Sequence, residues 1–253
     1  MSSPAETLAA ICGRRDRPLL VCYLPVGDPQ AAAATAARYS DHGVDVLEAG
    51  VPVADPYLDG PVVTASMHRA LAAGVDRASA AALLRAQLTD AGGPAAVWMS
   101  YDADPGPEHL GPVARSGAGG ALLLGSDPAA TAARVTAHGL HPVPFLDHEP
   151  TDGQVACAAR APAYVMLAAA GGVTGERAEV GADNQALVRR LRTRGVSAPV
   201  LLGFGISGGA QAGAAVGMGA DGVVVGSACV RAALAGPAAL NRLLDELRSA
   251  LDD

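Results

Sequence analysis

The feature of this sequence that most constrains its fold is a regular alternation between short apolar runs and alanine-rich stretches of helical period. Each run is short and rich in Val, Leu or Ala, which is typical of a strand that is buried on both faces in a parallel sheet. The eight runs are LLVCY (19–23), VDVLEA (44–49), AAVWMS (95–100), GALLLG (120–125), PVPFL (142–146), AYVML (163–167), PVLLG (199–203) and GVVVG (222–226).

The stretches between the runs, and after the last one, predict helices. They cover residues 29–42, 79–91, 129–138, 184–194, 208–219 and 237–251. Eight strand–helix units fit a (β/α)₈ barrel better than an open doubly wound sheet, which usually stops at about six strands. We therefore expect an α/β protein in which residues 1–253 form one domain, a single (β/α)₈ TIM barrel. Functional residues of such a barrel lie at the carboxyl ends of its strands.

Three acidic residues fall at the end of the second run and in the loop behind it, LEAGVPVADPYLDG. Asp55 and Asp59 stand in Asp-Pro and Asp-Gly pairs, which are also ordinary turn formers. Glu48 is harder to explain as structure, because a carboxylate among apolar neighbours is costly to bury without a partner or a purpose. Burial would raise its pKa toward neutrality, as general acid–base catalysis requires.

Three glycine-rich segments follow the last three runs: GGVTGE, GFGISGG and GVVVGSACV. Each alone is more often a turn than a ligand site, but all three lie where barrels commonly bind phosphate, next to a helix N-terminus. We predict that the backbone N–H groups of Gly175, Gly205, Gly226 and Ser227 form a phosphate site.

Composition excludes several function classes. All 18 basic side chains are Arg, so Schiff-base chemistry, which needs a lysine amine, is excluded. The four cysteines are scattered without a CxxC pair and are expected to be buried apolar residues, and the six histidines have no metal-ligand spacing, so no metal is predicted. A net charge of −7 without a basic run argues against nucleic acid as a partner.

Location follows from what the sequence lacks. No apolar run approaches the ~18 residues of a membrane span, and the N-terminus has no signal-peptide pattern. We expect no membrane partner and a cytoplasmic location.

The segments YLPVGDP, LEAGVPVADPYLDGP, GGVTGE, GFGIS and GADGVVVGSA occur in the order found in the tryptophan synthase alpha subunit, and the chain resembles that family over nearly its whole length. The resemblance implies a (β/α)₈ barrel that needs no cofactor and cleaves indole-3-glycerol phosphate to indole and glyceraldehyde 3-phosphate. It implies that Glu48 is the acid–base carboxylate and that Asp59 interacts with the indole N–H. Tyr23, Tyr101 and Phe204 stand where the family lines its substrate pocket, although each alone is equally explained as a core aromatic.

The sequence also departs from the family pattern. Ala168, Ala169 and Ala170 replace the residues, including an Arg, that usually precede Gly-Val-Thr-Gly, and Met166 stands near a position where Tyr is frequent. Ala103 and Ser126 replace the Asn and Asp that are usual where the alpha subunit faces its beta partner.

These departures leave three functions open. The first is a lyase that acts alone, or is coupled differently, on indole-3-glycerol phosphate or a substituted analogue, in specialised metabolism. The second is an ordinary alpha subunit that channels indole to a beta subunit. The third is a barrel without turnover that acts as a binding or activating partner. Retention of Glu48 and Asp59 favours an enzyme.

Overall fold

The strands of the structure, a computed structural model that describes residues 2–14, 16–91, 94–102, 105–168, 183–203 and 205–253, all run parallel. Their positions confirm the eight apolar runs as strands, with ends that differ by no more than about two residues. They are β1 Leu19–Pro25, β2 Val46–Gly50, β3 Ala95–Tyr101, β4 Gly120–Leu124, β5 His141–Pro142, β6 Phe145–Leu146, β7 Val165–Ala168, β8 Val200–Gly203 and β9 Gly222–Val225.

The strand order, β5-β4-β3-β2-β1-β9-β8-β7-β6, shows how the sheet closes. Its two end strands, β5 and β6, are the two halves of one predicted strand, and only Val143 and Pro144 separate them. The Val143 N–H donates to the Ala121 carbonyl on one side, and the Pro144 carbonyl accepts from the Met166 N–H on the other. The fifth strand therefore joins both edges of the sheet, and the architecture is the predicted (β/α)₈ TIM barrel.

One helix precedes the first strand, and the others lie between the strands or after the last one. They are α1 Pro4–Gly13, α2 Ala36–Asp41, α3 Pro61–Ala72, α4 Arg77–Ala91, α5 Pro107–Arg115, α6 Pro128–Ala137, α7 Asp152–Ala158, α8 Asp183–Thr193, α9 Gly209–Gly217, α10 Ser227–Leu234 and α11 Pro237–Asp252. None in the described ranges is long and apolar enough to cross a bilayer.

Five of the six predicted helices occur within about two residues of the expected ends, whereas α2 is much shorter than the predicted 29–42. The Thr35 side chain accepts a hydrogen bond from the Arg38 N–H and caps the helix, which therefore begins at Ala36, seven residues after Pro29. Residues 29–34 form turns instead, with Ala31 and Ala34 donating to carbonyls three residues earlier.

Alternation along the strands divides the core into two layers. In β1, Leu20, Cys22 and Leu24 pack between the sheet and the helices. Leu19, Val21 and Tyr23 point into the barrel, where Leu8 and Cys12 of α1 also pack. All four cysteines are buried and unbridged, as expected. Because successive strand residues face opposite sides, each strand delivers alternate side chains to the interior.

Candidate active site

A cavity of about 540 Å³, including its open mouth, lies at the carboxyl ends of the strands. Its walls are mainly apolar, and its polar groups come from the ends of β1, β2 and β9 and from the loop after β2. The lining residues are Tyr23, Glu48, Asp59, Val63, Met99, Leu122, Leu124, Met166, Gly205, Ile206, Val224, Gly226 and Ser227.

Glu48 lies inside the barrel, as the strand alternation requires. Its neighbours Leu47 and Ala49 pack outward against the helices, and its own side chain lines the cavity and is 3% exposed. The hydroxyl of Tyr164, just before β7, donates to Glu48 Oε1 over 3.5 Å. Burial, with the charge of Asp59 as a second cause, raises the pKa of Glu48 from 4.5 to about 8, although the Tyr164 hydrogen bond acts in the opposite direction. Glu48 is therefore mostly protonated at neutral pH.

Asp59 reaches the same cavity from the loop between β2 and α3. The Tyr101 hydroxyl, at the end of β3, donates to Asp59 Oδ2 over 2.7 Å. The ring of Tyr57 packs edge-on against that of Tyr101, with 5.1 Å between centroids. Burial and the Asp59 charge raise the pKa of Tyr101, so Tyr101 remains a hydrogen-bond donor. The predicted pocket residue Tyr101 thus serves the site by orienting Asp59.

Three of the four predicted phosphate residues also line the cavity. Gly226 precedes α10, Ser227 begins it, and Gly205 follows β8. Gly205 has φ +81°, a conformation that favours glycine. The N-terminus of a helix presents backbone N–H groups and the positive end of its dipole, which suit an anion. Gly175 and Phe204 lie outside the described residues.

Tyr23 enters the cavity from β1 and is 2% exposed. Its hydroxyl has no hydrogen-bond partner among the described residues. Sequence reasoning placed Tyr23 here but missed Tyr164, which directly contacts Glu48. The only signal for Tyr164 is its place at the start of an apolar run, where a polar hydroxyl needs an inward partner.

Two other buried carboxylates lie at strand ends but outside the cavity. Asp28 accepts hydrogen bonds from Arg69, Ser66 and the Gln30 N–H. Burial alone would raise the pKa of Asp28, but the bonds from Arg69 and Ser66 more than offset it and hold the pKa below its usual value. Arg77 similarly binds Asp102 through two nitrogens.

The residues that depart from the family pattern are only partly described. Ala168 is buried at the end of β7, and Met166 lines the cavity. The Ser126 hydroxyl donates to the Leu123 carbonyl over 2.9 Å and lies 3.4 Å from that of Thr131. Ala103, Ala169 and Ala170 lie outside the described residues.

A (β/α)₈ barrel that holds a protonated carboxyl and a second carboxylate in an apolar cavity at its carboxyl end belongs to the class of barrel enzymes. A family model described as "Tryptophan synthase alpha chain" matches residues 10–247.

Relatives of that description include the tryptophan synthase alpha chains of Streptomyces coelicolor and Acidothermus cellulolyticus. The first is 35% identical over 92% of this chain and 88% of its own length. The second is 37% identical over 98% of this chain and 96% of its own length. A structure of Mycobacterium tuberculosis tryptophan synthase superimposes with a TM-score of 0.84 at 30% identity, over 100% of both chains. The chain belongs to the tryptophan synthase alpha chain family and, as a member, is a carbon–carbon lyase.

Proposed function

We propose that the protein cleaves indole-3-glycerol phosphate, or a substituted analogue, to indole and glyceraldehyde 3-phosphate, with Glu48 as acid–base catalyst. The observation that carries the proposal is Glu48 itself: a buried carboxyl that lines the cavity, has its pKa raised to about 8 and accepts a hydrogen bond from the Tyr164 hydroxyl. A group poised near neutral pH can both give and take a proton.

The reaction needs two proton transfers around one bond. A proton is added to ring carbon 3, and the resulting indolenine then loses the bond between that carbon and the glycerol chain. The electron pair of this bond returns to the ring, and the hydroxyl on the departing carbon loses its proton as it becomes the aldehyde. One proton enters and one leaves, so no oxidant, reductant or other reactant is consumed. Protonated Glu48 suits the first transfer, and the carboxylate that remains suits the second.

Asp59 and the phosphate site take the other two parts of this reaction. Positive charge develops on the ring nitrogen of the indolenine, and a carboxylate that accepts its N–H stabilises that charge. The Tyr101 hydrogen bond holds Asp59 in place for this contact. Gly205, Gly226 and Ser227, with Gly175 in the predicted set, bind the phosphate and fix the distance between the two ends of the substrate.

Release of indole from indole-3-glycerol phosphate by the purified protein tests the proposal. We expect turnover by the wild type and losses of about 10²- to 10⁴-fold in Glu48→Gln and Asp59→Asn. Glu108→Gln, which changes an exposed carboxylate on α5, is the matched control and should keep wild-type activity. Turnover in Glu48→Gln at the rate of this control would contradict the assigned role.

We further propose that the enzyme acts without a tightly coupled partner, in the cytoplasm. Two observations support this. Asp59 is already oriented within the chain by Tyr101, and Ser126 uses its hydroxyl inside its own loop and offers no charge to a partner. The alternative is an ordinary alpha subunit coupled to a beta subunit.

Addition of a beta subunit from a relative separates the two alternatives. A rate that changes less than about threefold supports independent action, and a rise of tenfold or more, or co-purification of the two chains, supports coupling. A barrel that only binds or activates a partner would release no indole under either condition. The buried Glu48 favours an enzyme over that reading, because an ionisable group is costly to bury unless it is used.

A further inference from the structure

The Tyr23 hydroxyl is a buried polar group inside the cavity that the described residues leave without a hydrogen-bond partner. Buried hydroxyls in folded proteins are almost always paired, because an unpaired one loses its contacts with water and gains none. Tyr39, also fully buried, follows the rule and donates to the Tyr23 carbonyl over 2.9 Å. The difference between these two tyrosines is that only Tyr23 faces the ligand cavity.

The direction of the Tyr23 side chain is fixed by Gly50, the last residue of β2. A Cβ atom at Gly50 would overlap the Tyr23 hydroxyl and the adjacent ring carbon, so the ring can lie there only because residue 50 is glycine. The hydroxyl therefore lies against Gly50, at the end of β2.

This place corresponds to the ring end of the substrate in the function proposed above. Glu48 precedes Gly50 on the same strand, and Asp59 lies in the loop that follows it. If Glu48 serves ring carbon 3 and Asp59 the ring N–H, the indole ring lies across Gly50 and its edge faces the Tyr23 hydroxyl. Val63, Met99 and Leu122, which also line the cavity, contribute apolar side chains.

We infer that Tyr23 is a specificity-determining residue that hydrogen-bonds a polar substituent on the indole ring, so that the preferred substrate is a hydroxyl- or amino-substituted indole glycerol phosphate. The inference rests on the proposed function and names its substrate class. A mainly apolar cavity in which the Tyr23 hydroxyl has no partner among the described residues favours a ring with one polar group over an equally large ring without one.

Equilibrium binding of the free rings tests this without relying on turnover. We titrate indole into the wild type and into Tyr23→Phe. We then titrate the four hydroxyindoles that are substituted on the six-membered ring, and for each of them the methylindole with its substituent at the same position. We expect the wild type to bind one hydroxyindole about tenfold or more tightly than the matching methylindole. Tyr23→Phe should abolish that preference and change indole binding less than twofold.

Three results would overturn the inference: no hydroxyl preference in the wild type, no binding of any ring, or an equal loss for indole itself in Tyr23→Phe. An equal loss would mean that the Tyr23 hydroxyl contacts a part of the molecule that indole shares with the hydroxyindoles. A hydroxyl preference that persists unchanged in Tyr23→Phe would overturn the inference as well, because another group would then bind the substituent.

Cleavage of the corresponding indole glycerol phosphates then separates this inference from the proposed function. The same hydroxyl preference in kcat/KM, lost in Tyr23→Phe, supports both. A binding preference without cleavage of any substrate would refute the proposed reaction and leave the specificity role of Tyr23 standing.

Discussion

Glu48 in the cavity and Asp28 beside it make an informative comparison, because both are buried carboxyls at the carboxyl end of a strand. Asp28 follows β1 and is held by two nitrogens of Arg69 and by the Ser66 hydroxyl, at 2.6–2.9 Å. Glu48 lies on the adjacent strand, and its one hydrogen-bond partner among the described residues is the Tyr164 hydroxyl at 3.5 Å. The pKa of Asp28 lies below its usual value, and that of Glu48 rises to about 8.

The difference teaches that position at the barrel mouth does not by itself make a carboxylate reactive. Asp28 and Asp102 are charged, paired with Arg69 and Arg77, and bind the strand ends to α3 and to the start of α4. Such pairing stabilises the ionised form and removes the group from proton transfer. A carboxyl that is buried without a cation remains free to exchange protons near neutral pH.

Removal of the Asp28 partner should have the largest effect. Arg69→Ala leaves the buried Asp28 carboxylate without its cation, although Ser66 and the Gln30 N–H still donate to it. We expect a loss of about 3 kcal/mol or more in the free energy of unfolding, measured with urea at pH 7. The exposed Arg85→Ala on α4 is the control and should cost less than about 0.5 kcal/mol. Equal effects of the two substitutions would show that the ion pair between Arg69 and Asp28 does not stabilise the fold.

Removal of the Glu48 carboxyl should instead stabilise the fold, in a pH-dependent way. Between pH 4.5 and about 8 the folded protein keeps a proton on Glu48 that the unfolded chain has lost, so stability falls as pH rises through this window. Glu48→Gln removes this loss. We expect it to exceed the wild type by on the order of 4 kcal/mol at pH 8 and by almost nothing at pH 4. Urea unfolding at both pH values measures this. A gain that is independent of pH, or a gain in Glu108→Gln as well, would contradict the assignment.

The Tyr101 hydrogen bond to Asp59 should matter for rate more than for stability. Tyr101→Phe keeps the ring that packs on Tyr57 but frees Asp59 from its orienting donor. We expect kcat/KM for indole release to fall about tenfold. Tyr57→Phe, which keeps the same ring contact, should change kcat/KM less than twofold. If Tyr101→Phe is equally harmless, orientation of Asp59 comes from elsewhere.

The smallest expected effect is that of removing the Tyr164 hydroxyl, which donates a hydrogen bond to Glu48. The Tyr164 hydrogen bond lowers the pKa of Glu48, so Tyr164→Phe should raise it further. Activity that depends on protonated Glu48 declines above about pH 8 in the wild type, and in Tyr164→Phe this decline should move to higher pH by less than about one unit. Tyr39→Phe, another buried tyrosine, should leave the pH profile unchanged. A shift to lower pH would contradict the contact.

Strand positions were predictable because a strand buried on both faces must be a short apolar run, and each run became a strand. The division of the fifth strand at Val143 and Pro144 was not predictable, because it depends on how the two edges of the sheet meet. The prediction that the helix begins at residue 29 was wrong for a local reason. Alanine periodicity cannot locate a helix start, which the Thr35 cap determines.

The site was predictable only in part. Glu48 stands out in the sequence because an acid at the end of an apolar run is costly to bury. The role of Asp59 came from the family resemblance, since its own sequence context is equally that of a turn. The partners that determine their behaviour, Tyr164 and Tyr101, come from strands more than forty residues away and are joined to them only by the closed barrel. No local pattern distinguishes Asp28, which is paired with Arg69, from Glu48, since Arg69 is also 41 residues distant from Asp28.

The central claim, that Glu48 is held protonated at neutral pH, is tested most directly by its own titration. Carbon-13 NMR of protein labelled at the glutamate carboxyls would follow each signal with pH, and Glu48→Gln would identify the relevant one. We predict one signal that titrates near pH 8 and is missing from the variant. Titration of every glutamate signal near pH 4.5, including the one that the variant lacks, would contradict the account.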